Sequence, residues 1–332
     1  MRQQEYDREL DTAPLEAYDY TLDAPARHAP RRRGATMLGL ALILIGVLWI
    51  GSSLATPRMF WPFDSRTLLN ERAPAQRVEL DVGPGDVDIV PWNQPEAQIV
   101  AESRGWNAPR ISVEKGDGVV RVRADQSGCL WLCWSDVRYR VSLPAGDAVT
   151  VRTTSGDVRV AGAGATTVTT VSGDVRLADL HGPLSVVTTS GDVEQERSTT
   201  QPAEVRTTSG DITLDGVSGA VAARSISGDI TIRGGRDATL TAETTSGDIR
   251  YEGSLALAGD NRISTVSGGV TLRLPEESGF TLRGRTVSGE ISSELPLQNE
   301  QRGRGLLSGT AGAGGPSLQI ETTSGDVQIE RQ

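Results

Sequence analysis

A short phrase that recurs nine times between Ser155 and Val327 constrains the fold more than any other feature: Ser-Gly, then Asp, Glu or Gly, then Val or Ile. Its glycines are 17 to 21 residues apart, except for a last interval of 36 residues that amounts to a double step. A fixed period of about 20 residues is typical of solenoid proteins, in which each repeat forms one coil that packs on its neighbours. The glycines are Gly156, Gly173, Gly191, Gly210, Gly228, Gly247, Gly268, Gly289 and Gly325.

Apolar and polar residues alternate on both sides of each glycine. After Gly173, the apolar Val175 and Leu177 flank the polar Arg176, and Val168 precedes the corner with the polar Thr169 beside it. Alternation with a period of two residues is typical of β-strands with one buried face. We therefore predict an all-β fold, a parallel β-solenoid whose coils of roughly 18 to 21 residues stack in register. Each coil would be strand, glycine corner, strand, and glycine suits the corner because it accepts a positive φ.

A hydroxyl residue stands three positions before each glycine, on the same parity as the buried residues. We predict that this row is a buried polar seam beside the corner, with its hydroxyls bonded to the turn backbone and to the aspartates. The row consists of Thr153, Thr170, Thr188, Thr207, Ser225, Thr244, Thr265, Thr286 and Thr322.

An uncharged stretch lies ahead of the repeats. Residues 35–55 carry no charged side chain over 21 positions, which is enough for a helix to span a hydrocarbon core of about 30 Å. Four arginines between residues 27 and 33 precede the stretch, so the positive-inside rule places the N-terminus in the cytoplasm and the repeats outside. A cleaved signal peptide is the alternative, because Ser53 and Ala55 offer a processing site, and it would export the repeats as well.

These features divide the chain into five predicted segments. Residues 1–34 form a disordered cytoplasmic tail, residues 35–55 the transmembrane helix, and residues 56–75 a juxtamembrane linker. Residues 76–147 alternate in longer runs and form a β-rich cap, because an uncovered terminal coil would expose an aggregation-prone edge. Residues 148–330 form the β-solenoid.

The corner aspartates would stack along one edge, where like charges a few Å apart repel one another. Calcium could neutralise them through carboxylate oxygens, as it does in other glycine- and aspartate-rich β-proteins. We favour the alternative that each carboxylate accepts hydrogen bonds from turn amides and from the Ser or Thr hydroxyls, and we predict no metal site. The candidate calcium ligands are Asp157, Asp174, Asp192, Asp211, Asp229 and Asp248.

The only two cysteines, Cys129 and Cys133, lie beside Trp131 and Trp134 in a short aromatic segment. Outside the cytoplasm such a pair is expected to form a disulfide. In a straight strand the two Cα atoms would be about 13 Å apart, so the bond requires a bend. The tryptophans would then either present a contact patch on a stapled loop or cover one end of the core, and we favour the second.

Charge and spacing exclude some classes of function. A formal net charge of −10 argues against a nucleic-acid partner. No non-repeating cluster groups an acid, a base and a nucleophile, which argues against an enzyme. The segment 295–316, inside the double spacing, interrupts the regular pattern with a glycine-rich run. It is expected to be a flexible excursion, with a binding loop as the alternative.

The order of the motifs resembles the bacterial family of putative adhesins known as DUF4097. The resemblance covers roughly residues 76–330 and rests on Gly-Asp-Val at 85–87, Leu-Pro-Ala-Gly-Asp at 143–147, the serial Thr-Thr-Ser-Gly-Asp-Val coils and a late Leu-Pro at 274–275. It also rests on the glycine-rich loop before the final coil. It implies a β-solenoid of the cell envelope, often tethered to the membrane, with no catalytic residues to carry over. We predict no cofactor.

We therefore expect a single-pass protein of the cell membrane with a cytoplasmic N-terminus and extracytoplasmic repeats. The first hypothesis is adhesion or scaffolding, in which the Thr- and Arg-lined outer faces bind a cell-wall or surface glycan or an envelope protein. The second is an envelope-stress sensor that signals through the transmembrane helix to the tail. The third is a structural rod that self-assembles end to end.

Overall fold

The computed structural model describes residues 65–105, 108–125, 135–199 and 201–332. Every described residue belongs to one compact unit, Trp61–Gln332. This described part contains 26 β-strands and no helix, which confirms the predicted all-β class. The predicted span at residues 35–55 lies outside it, and no segment within it forms a helix of the length and apolarity that crossing a membrane requires.

Each coil has an upstream strand that leads into the glycine corner and a downstream strand that leaves it. The N-terminal part contains β1 (Ser65–Ala73), β2 (Arg77–Asp81), β3 (Asp86–Trp92), β4 (Ala97–Gly105), β5 (Arg110–Gly116), β6 (Val119–Asp125) and β7 (Ser135–Pro144). The regular coils contain β8 (Ala148–Arg152), β9 (Val158–Ala161), β10 (Thr166–Thr169), β11 (Val175–Ala178), β12 (Leu184–Val187), β13 (Val193–Glu196), β14 (Ala203–Arg206), β15 (Ile212–Asp215), β16 (Ser218–Arg224), β17 (Ile230–Glu243), β18 (Ile249–Leu255), β19 (Asp260–Ser267) and β20 (Val270–Leu274). The C-terminal part contains β21 (Phe280–Ser288), β22 (Ile291–Ser293), β23 (Leu297–Gly303), β24 (Leu306–Ala311), β25 (Ser317–Ser324) and β26 (Val327–Arg331).

The strands form two parallel columns. In the upstream column β2, β8, β10, β12, β14 and β16 follow one another, and in the downstream column β3, β9, β11, β13 and β15 do the same. The long strand β17 serves both columns, because its first half pairs with β15 and its second half with β16. Val151, Val168 and Val186 pair directly in successive coils. The predicted in-register stacking of coils is therefore confirmed.

The interior is filled by the inward side chains of both columns. The position two residues after each corner glycine is almost fully buried in every coil, as at Val158, Ile212 and Val327. Burying such a side chain contributes about 1.5 to 3 kcal/mol. Because facing strands lie close together, most positions hold Val, Ile, Leu or Ala, and larger rings such as Tyr139 and Tyr251 are few.

The corner requires glycine for two reasons. Gly173 has φ +122° and Gly228 has φ +151°, backbone conformations that other residues rarely adopt. A Cβ atom at Gly173 would also lie 2.2 Å from the carbonyl oxygen of Gly156 in the preceding coil. The corners therefore stack at a distance that leaves no room for a side chain.

The regular stack begins earlier than residue 148. β2 and β3 flank Gly85, whose φ is +150°, and they pair in parallel with β8 and β9. Pro84 forms an isolated bridge to Ser155, as the corner serines do from coil to coil. The first coil is thus residues 77–92, and the predicted boundary between cap and solenoid does not coincide with the strand pairing.

Antiparallel strands cover the N-terminal end of the stack. In the upstream column β6 pairs in parallel with β2 and antiparallel with β5. In the downstream column β7 pairs in parallel with β3, β4 is antiparallel to β7, and β1 is antiparallel to β4. A salt bridge of 2.6 Å between Lys115 on β5 and Glu71 on β1 joins the two columns at this end.

The last coil in the sequence is not the last in space. β25 lies between β19 and β21, and β26 lies between β20 and β22. The residues of the double spacing form the hairpin of β23 and β24, which is antiparallel to β21 and covers the C-terminal end of the upstream column. The prediction of a flexible excursion at residues 295–316 is therefore wrong, because the segment is needed as a cap and carries the chain back into the stack.

Candidate functional site

The corner aspartates form a hydrogen-bonded ladder along one edge of the solenoid. The backbone N–H of each corner aspartate donates to the carboxylate of the preceding coil, so that Asp174 donates to Asp157 Oδ1 and Asp229 to Asp211 Oδ1. The N···O distances along the ladder run from 2.8 to 3.3 Å. The ladder is interrupted at Gly269, whose N–H donates to Asp248 but which has no carboxylate to accept the next bond, and it ends at Glu290, whose N–H donates to Asp326 Oδ1. The carboxylates therefore satisfy turn amides, as the favoured interpretation expected.

Arginines neutralise part of this edge. Arg159, Arg176 and Arg250 each stand two residues after an aspartate and pair with it at 3.0, 2.8 and 2.7 Å. Asp192 and Asp211 have no cationic partner among the described residues, since Glu194 and Thr213 occupy the corresponding positions. The charge repulsion that motivated the calcium hypothesis is thus relieved by arginine at some coils and not at others.

Each corner contributes one carboxylate to this edge, except the corner with Gly269. Across the described ranges, no three acidic, histidine or cysteine side chains come together in a group that could hold a metal ion. A calcium site at Asp157, Asp174, Asp192, Asp211, Asp229 or Asp248 stays a hypothesis that the ladder does not favour.

The hydroxyl row beside the corner is buried, as predicted. Thr244 Oγ1 donates to Gly228 O at 3.1 Å, and Thr265 Oγ1 donates to Gly247 O at 3.1 Å. The acceptors along the row are backbone carbonyl oxygens, so the predicted bonds to aspartates are not formed. Thr207 Oγ1 is buried without a hydrogen-bond partner in the described part of the chain.

Four residues singled out in the sequence cannot be placed. Cys129, Cys133, Trp131 and Trp134 fall between β6 and β7, outside the described residues. The disulfide and the contact patch therefore stay predictions.

A polar groove lies on the outer face of the upstream column near its C-terminal end. We call it the C-terminal groove; it has a volume of about 380 Å³. It spans β19, β25 and β21, so the inserted last coil forms its centre. Its lining residues are Asp260, Asn261, Arg262, Thr281, Arg283, Ser317, Leu318 and Gln319.

The outward residues of this groove form two cross-strand rows. In the first row, Ser317 pairs with Asp260 on one side and Thr281 on the other. In the second, Gln319 pairs with Arg262 and with Arg283. The rows are two residues apart along each strand, which is about 6.6 Å.

Hydrogen bonds hold most of the polar side chains of the groove in place, whereas one cationic side chain, Arg283, makes no such bond within the described ranges. Ser317 Oγ lies 2.5 Å from Asp260 Oδ1, and Arg262 Nη2 donates to Gln319 Oε1 at 3.3 Å. Beneath them the buried Asn261 donates to Ser317 O at 3.1 Å, which ties β19 to β25. Arg283 is exposed and has no hydrogen-bond or ion-pair partner within the described ranges.

A second groove of about 330 Å³ lies on the outer face of the downstream column, across β3, β9, β11 and β13. Its floor includes the small side chains of Ala161 and Ala178. Its two arginines, Arg159 and Arg176, are both engaged by corner aspartates. This groove therefore offers fewer free polar groups to a ligand than the C-terminal groove does.

Sequence reasoning missed the C-terminal groove, although its residues come from ordinary coils. They belong to three segments that lie up to 57 residues apart in sequence, and only the insertion of the last coil brings them together. The double spacing of 36 residues was the one signal in the sequence that the coil order changes there.

The corner ladders, the parallel columns and the antiparallel caps define a solenoid-like all-β protein. The chain belongs to the Toastrack DUF4097 family, whose model matches residues 75–258 and 237–330. This confirms the resemblance drawn from the motifs. No curated protein matches the chain in sequence.

Solved structures with similarity to the chain include three from bacteria. One is a putative adhesin from Bacteroides fragilis with 14% identity and a TM-score of 0.42, which covers 80% of this chain and 97% of its own. A putative cell adhesion protein from Clostridium sporogenes has 13% identity and a TM-score of 0.23, with coverages of 80% and 100%. A putative adhesin from Parabacteroides merdae has 10% identity and a TM-score of 0.27, with coverages of 80% and 95%. At these scores nothing about the function of this chain follows from the likeness.

Proposed function

We propose that this protein is a non-catalytic binding module of the bacterial cell envelope. In this proposal residues 35–55 anchor it in the cell membrane as a single span, the N-terminal tail is cytoplasmic, and the solenoid stands outside the membrane. Its role is adhesion or scaffolding, and its partner is a cell-wall or surface glycan or an envelope protein.

The observation that carries the proposal is the repetition of outward side chains at one register. Because Arg159 pairs with Arg176 and Arg176 with Glu194, each outward position becomes a row that runs along the column. Such rows present a polar side chain at every strand spacing of about 4.8 Å. An extended surface of this kind suits an extended partner, whereas a catalytic site needs different groups that converge on one point.

The antiparallel caps weigh against the alternative of a rod that self-assembles end to end. β23, the outermost strand of the C-terminal cap, is exposed and carries the polar run Gln298 to Arg302. Polar and charged edge strands resist pairing with another chain. We expect the protein to remain monomeric in sedimentation experiments, and filaments that grow with concentration would favour the rod.

Retention of the purified full-length chain on isolated cell envelopes tests the binding proposal. The protein, reconstituted in phospholipid nanodiscs, is incubated with envelopes over a range of concentrations, once with calcium and once with a chelator. Saturable retention in both buffers is the expected result, and the same nanodiscs without protein are the control. Absence of retention in both buffers would contradict the proposal, while retention only with calcium would restore the aspartate site.

The sensor alternative has a separate test. Deleting residues 1–26 removes most of the predicted cytoplasmic tail while leaving the arginines at 27–33, and a binding module should then support envelope function as before. An envelope-stress phenotype equal to that of a full deletion would instead favour signalling through the membrane helix.

A further inference from the structure

We propose that the C-terminal groove binds an anionic saccharide, a polymer that carries carboxylate or phosphate groups together with free hydroxyls. This inference rests on the proposed function and names the ligand class and the site. It concerns the two rows of outward residues on β19, β25 and β21.

The row of Arg262, Gln319 and Arg283 favours a ligand with an anionic group. The two arginines lie on strands on either side of β25, so their Cα atoms are about 9.6 Å apart, two strand spacings. Arg283 has no partner of its own within the described residues, and Arg262 is held only by the neutral amide of Gln319 at 3.3 Å. A guanidinium binds carboxylate or phosphate through two parallel N–H donors, and this match favours such a group over a neutral one.

The row of Asp260, Ser317 and Thr281 favours a ligand that carries hydroxyl groups. The carboxylate of Asp260 can only accept hydrogen bonds, whereas the hydroxyls of Ser317 and Thr281 can both donate and accept. A bare anion would be repelled by Asp260. A ligand that fills both rows must therefore bring hydroxyl donors as well as its negative charge.

The distance between the rows fits this combination. They are two residues apart along each strand, about 6.6 Å, which is comparable to the width of one sugar ring. A sugar acid or sugar phosphate could place its anionic group between the arginines and its ring hydroxyls on the neighbouring row. The groove volume of about 380 Å³ accommodates a ligand larger than a single inorganic anion.

The polarity of the groove argues against a protein partner at this place. Leu318 is the only apolar lining residue, and it is 1% exposed. Protein interfaces are centred on exposed aromatic or apolar anchors, which the lining lacks. Two engaged pairs, Ser317 with Asp260 and Arg262 with Gln319, also hold the polar groups in position before a ligand arrives.

Titration calorimetry on the full-length protein in nanodiscs tests the inference with three defined probes. The first is a tetrasaccharide of uronic acid, the second the same tetrasaccharide with its carboxyl groups reduced to alcohols, and the third a short glycerol phosphate polymer. We expect saturable binding of at least one of the two anionic probes, and binding of the reduced probe at least tenfold weaker. The stronger of the two anionic probes distinguishes a carboxylate from a phosphate source.

Substitutions locate the site. Arg283→Gln should weaken binding of the preferred anionic probe at least tenfold, with Arg283→Lys in between, because lysine keeps the charge and loses the paired donors. Arg152→Gln is the matched control, since Arg152 is also an exposed arginine on the upstream column and lies outside the groove. It should leave the affinity unchanged within twofold. Thermal unfolding of each variant verifies that the fold is intact, which is expected for exposed side chains.

Two outcomes would overturn the inference: no saturable binding of either anionic probe, or equal binding by the Arg283→Gln variant. The envelope experiment separates this result from the proposed function. If envelopes retain the wild-type protein and the Arg283→Gln variant equally, binding of envelopes stands and the groove is not the site. If envelopes retain neither protein while the probe binds the groove, the envelope-binding proposal fails and the ligand class stands.

Discussion

Gly228→Ala is expected to destabilise the middle of the solenoid by several kcal/mol. Gly228 has φ +151°, and a Cβ atom there would lie 2.1 Å from Gly210 O and 2.6 Å from its carbonyl carbon. A methyl carbon does not approach a carbonyl group to which it is not bonded within roughly 3 Å without a steric clash. The alanine variant must therefore either rotate its backbone or move the two corners apart by about 1 Å.

The size of the effect follows from the bonds at this corner. Holding alanine in a backbone conformation that only glycine populates costs about 1 to 3 kcal/mol. Separating the corners also weakens the bond from Gly210 N to Ser227 O, 3.0 Å, and the bond from Asp229 N to Asp211 Oδ1, 2.8 Å. Each contributes about 1 kcal/mol net. We expect a loss of about 3 to 5 kcal/mol.

The measurement combines urea unfolding of the full-length protein in detergent with hydrogen exchange resolved by peptide. Exchange is needed because solenoids open locally, so a single unfolding midpoint can hide a weakened coil. Amides of the coils on either side of Gly228 should exchange faster, whereas the terminal coils should change little.

Gly116→Ala is the matched control. Gly116 ends β5, has no positive φ, and a Cβ atom there meets nothing within 4 Å. Its substitution should change stability by no more than about 0.5 kcal/mol. If Gly228→Ala were as stable as the Gly116→Ala protein and exchanged at the wild-type rate, the close contact between corners would be refuted.

Three further predictions concern the hydroxyl row, a buried ring and the inserted coil. Thr207→Val should leave the free energy of unfolding in urea unchanged or raise it, because the Thr207 hydroxyl is buried without a partner among the described residues. Thr244→Val should lower the free energy of unfolding by about 1 kcal/mol, because it removes a hydrogen bond of 3.1 Å. Equal losses of stability in the two variants would contradict this prediction. Burial raises the pKa of Tyr139 to about 12 from about 10 in an unfolded chain, so the stability that depends on the neutral phenol is complete below about pH 10 and is lost as the pH rises through about 12. Ultraviolet absorbance of the folded protein should show that the Tyr139 phenolate forms only near pH 12. Titration near pH 10 in the folded protein would refute the burial. Truncation after Pro316 removes a coil from inside the stack, so limited proteolysis should cleave residues 280–293 rapidly, and resistance equal to wild type would show that these residues do not depend on the inserted coil.

The sequence was sufficient to predict the coils, because the recurring Ser-Gly phrase marks the position of each corner. The glycine at 173 with Val175 and Leu177 after it fixes the corner, the strand and its buried face without reference to any distant residue. The buried hydroxyl row followed from the same parity. The first coil was missed because its corner reads Pro84-Gly85-Asp86, without the serine that marks the others.

The order of the last coils could not be predicted from local patterns. Nothing within residues 317–331 distinguishes a coil that ends a stack from one that enters it, since its corner repeats the common phrase. The order depends on which strands pair over long distances, and such pairings are set by packing of the whole stack. For the same reason Arg262, Gln319 and Arg283 could not be recognised as neighbours.

The position of β25 and β26 inside the stack determines the order in which the strands can pair during synthesis. The coils from residue 77 to residue 274 can pair one after another as the chain leaves the ribosome, because the strand that precedes each new strand in its column has already been synthesised. Residues 280–293 emerge next but have no permanent neighbour, since their place in the column is beside strands that have not yet been made. The C-terminal end of the stack is therefore completed only after residues 317–331 have been synthesised, because these residues pair with strands on both sides.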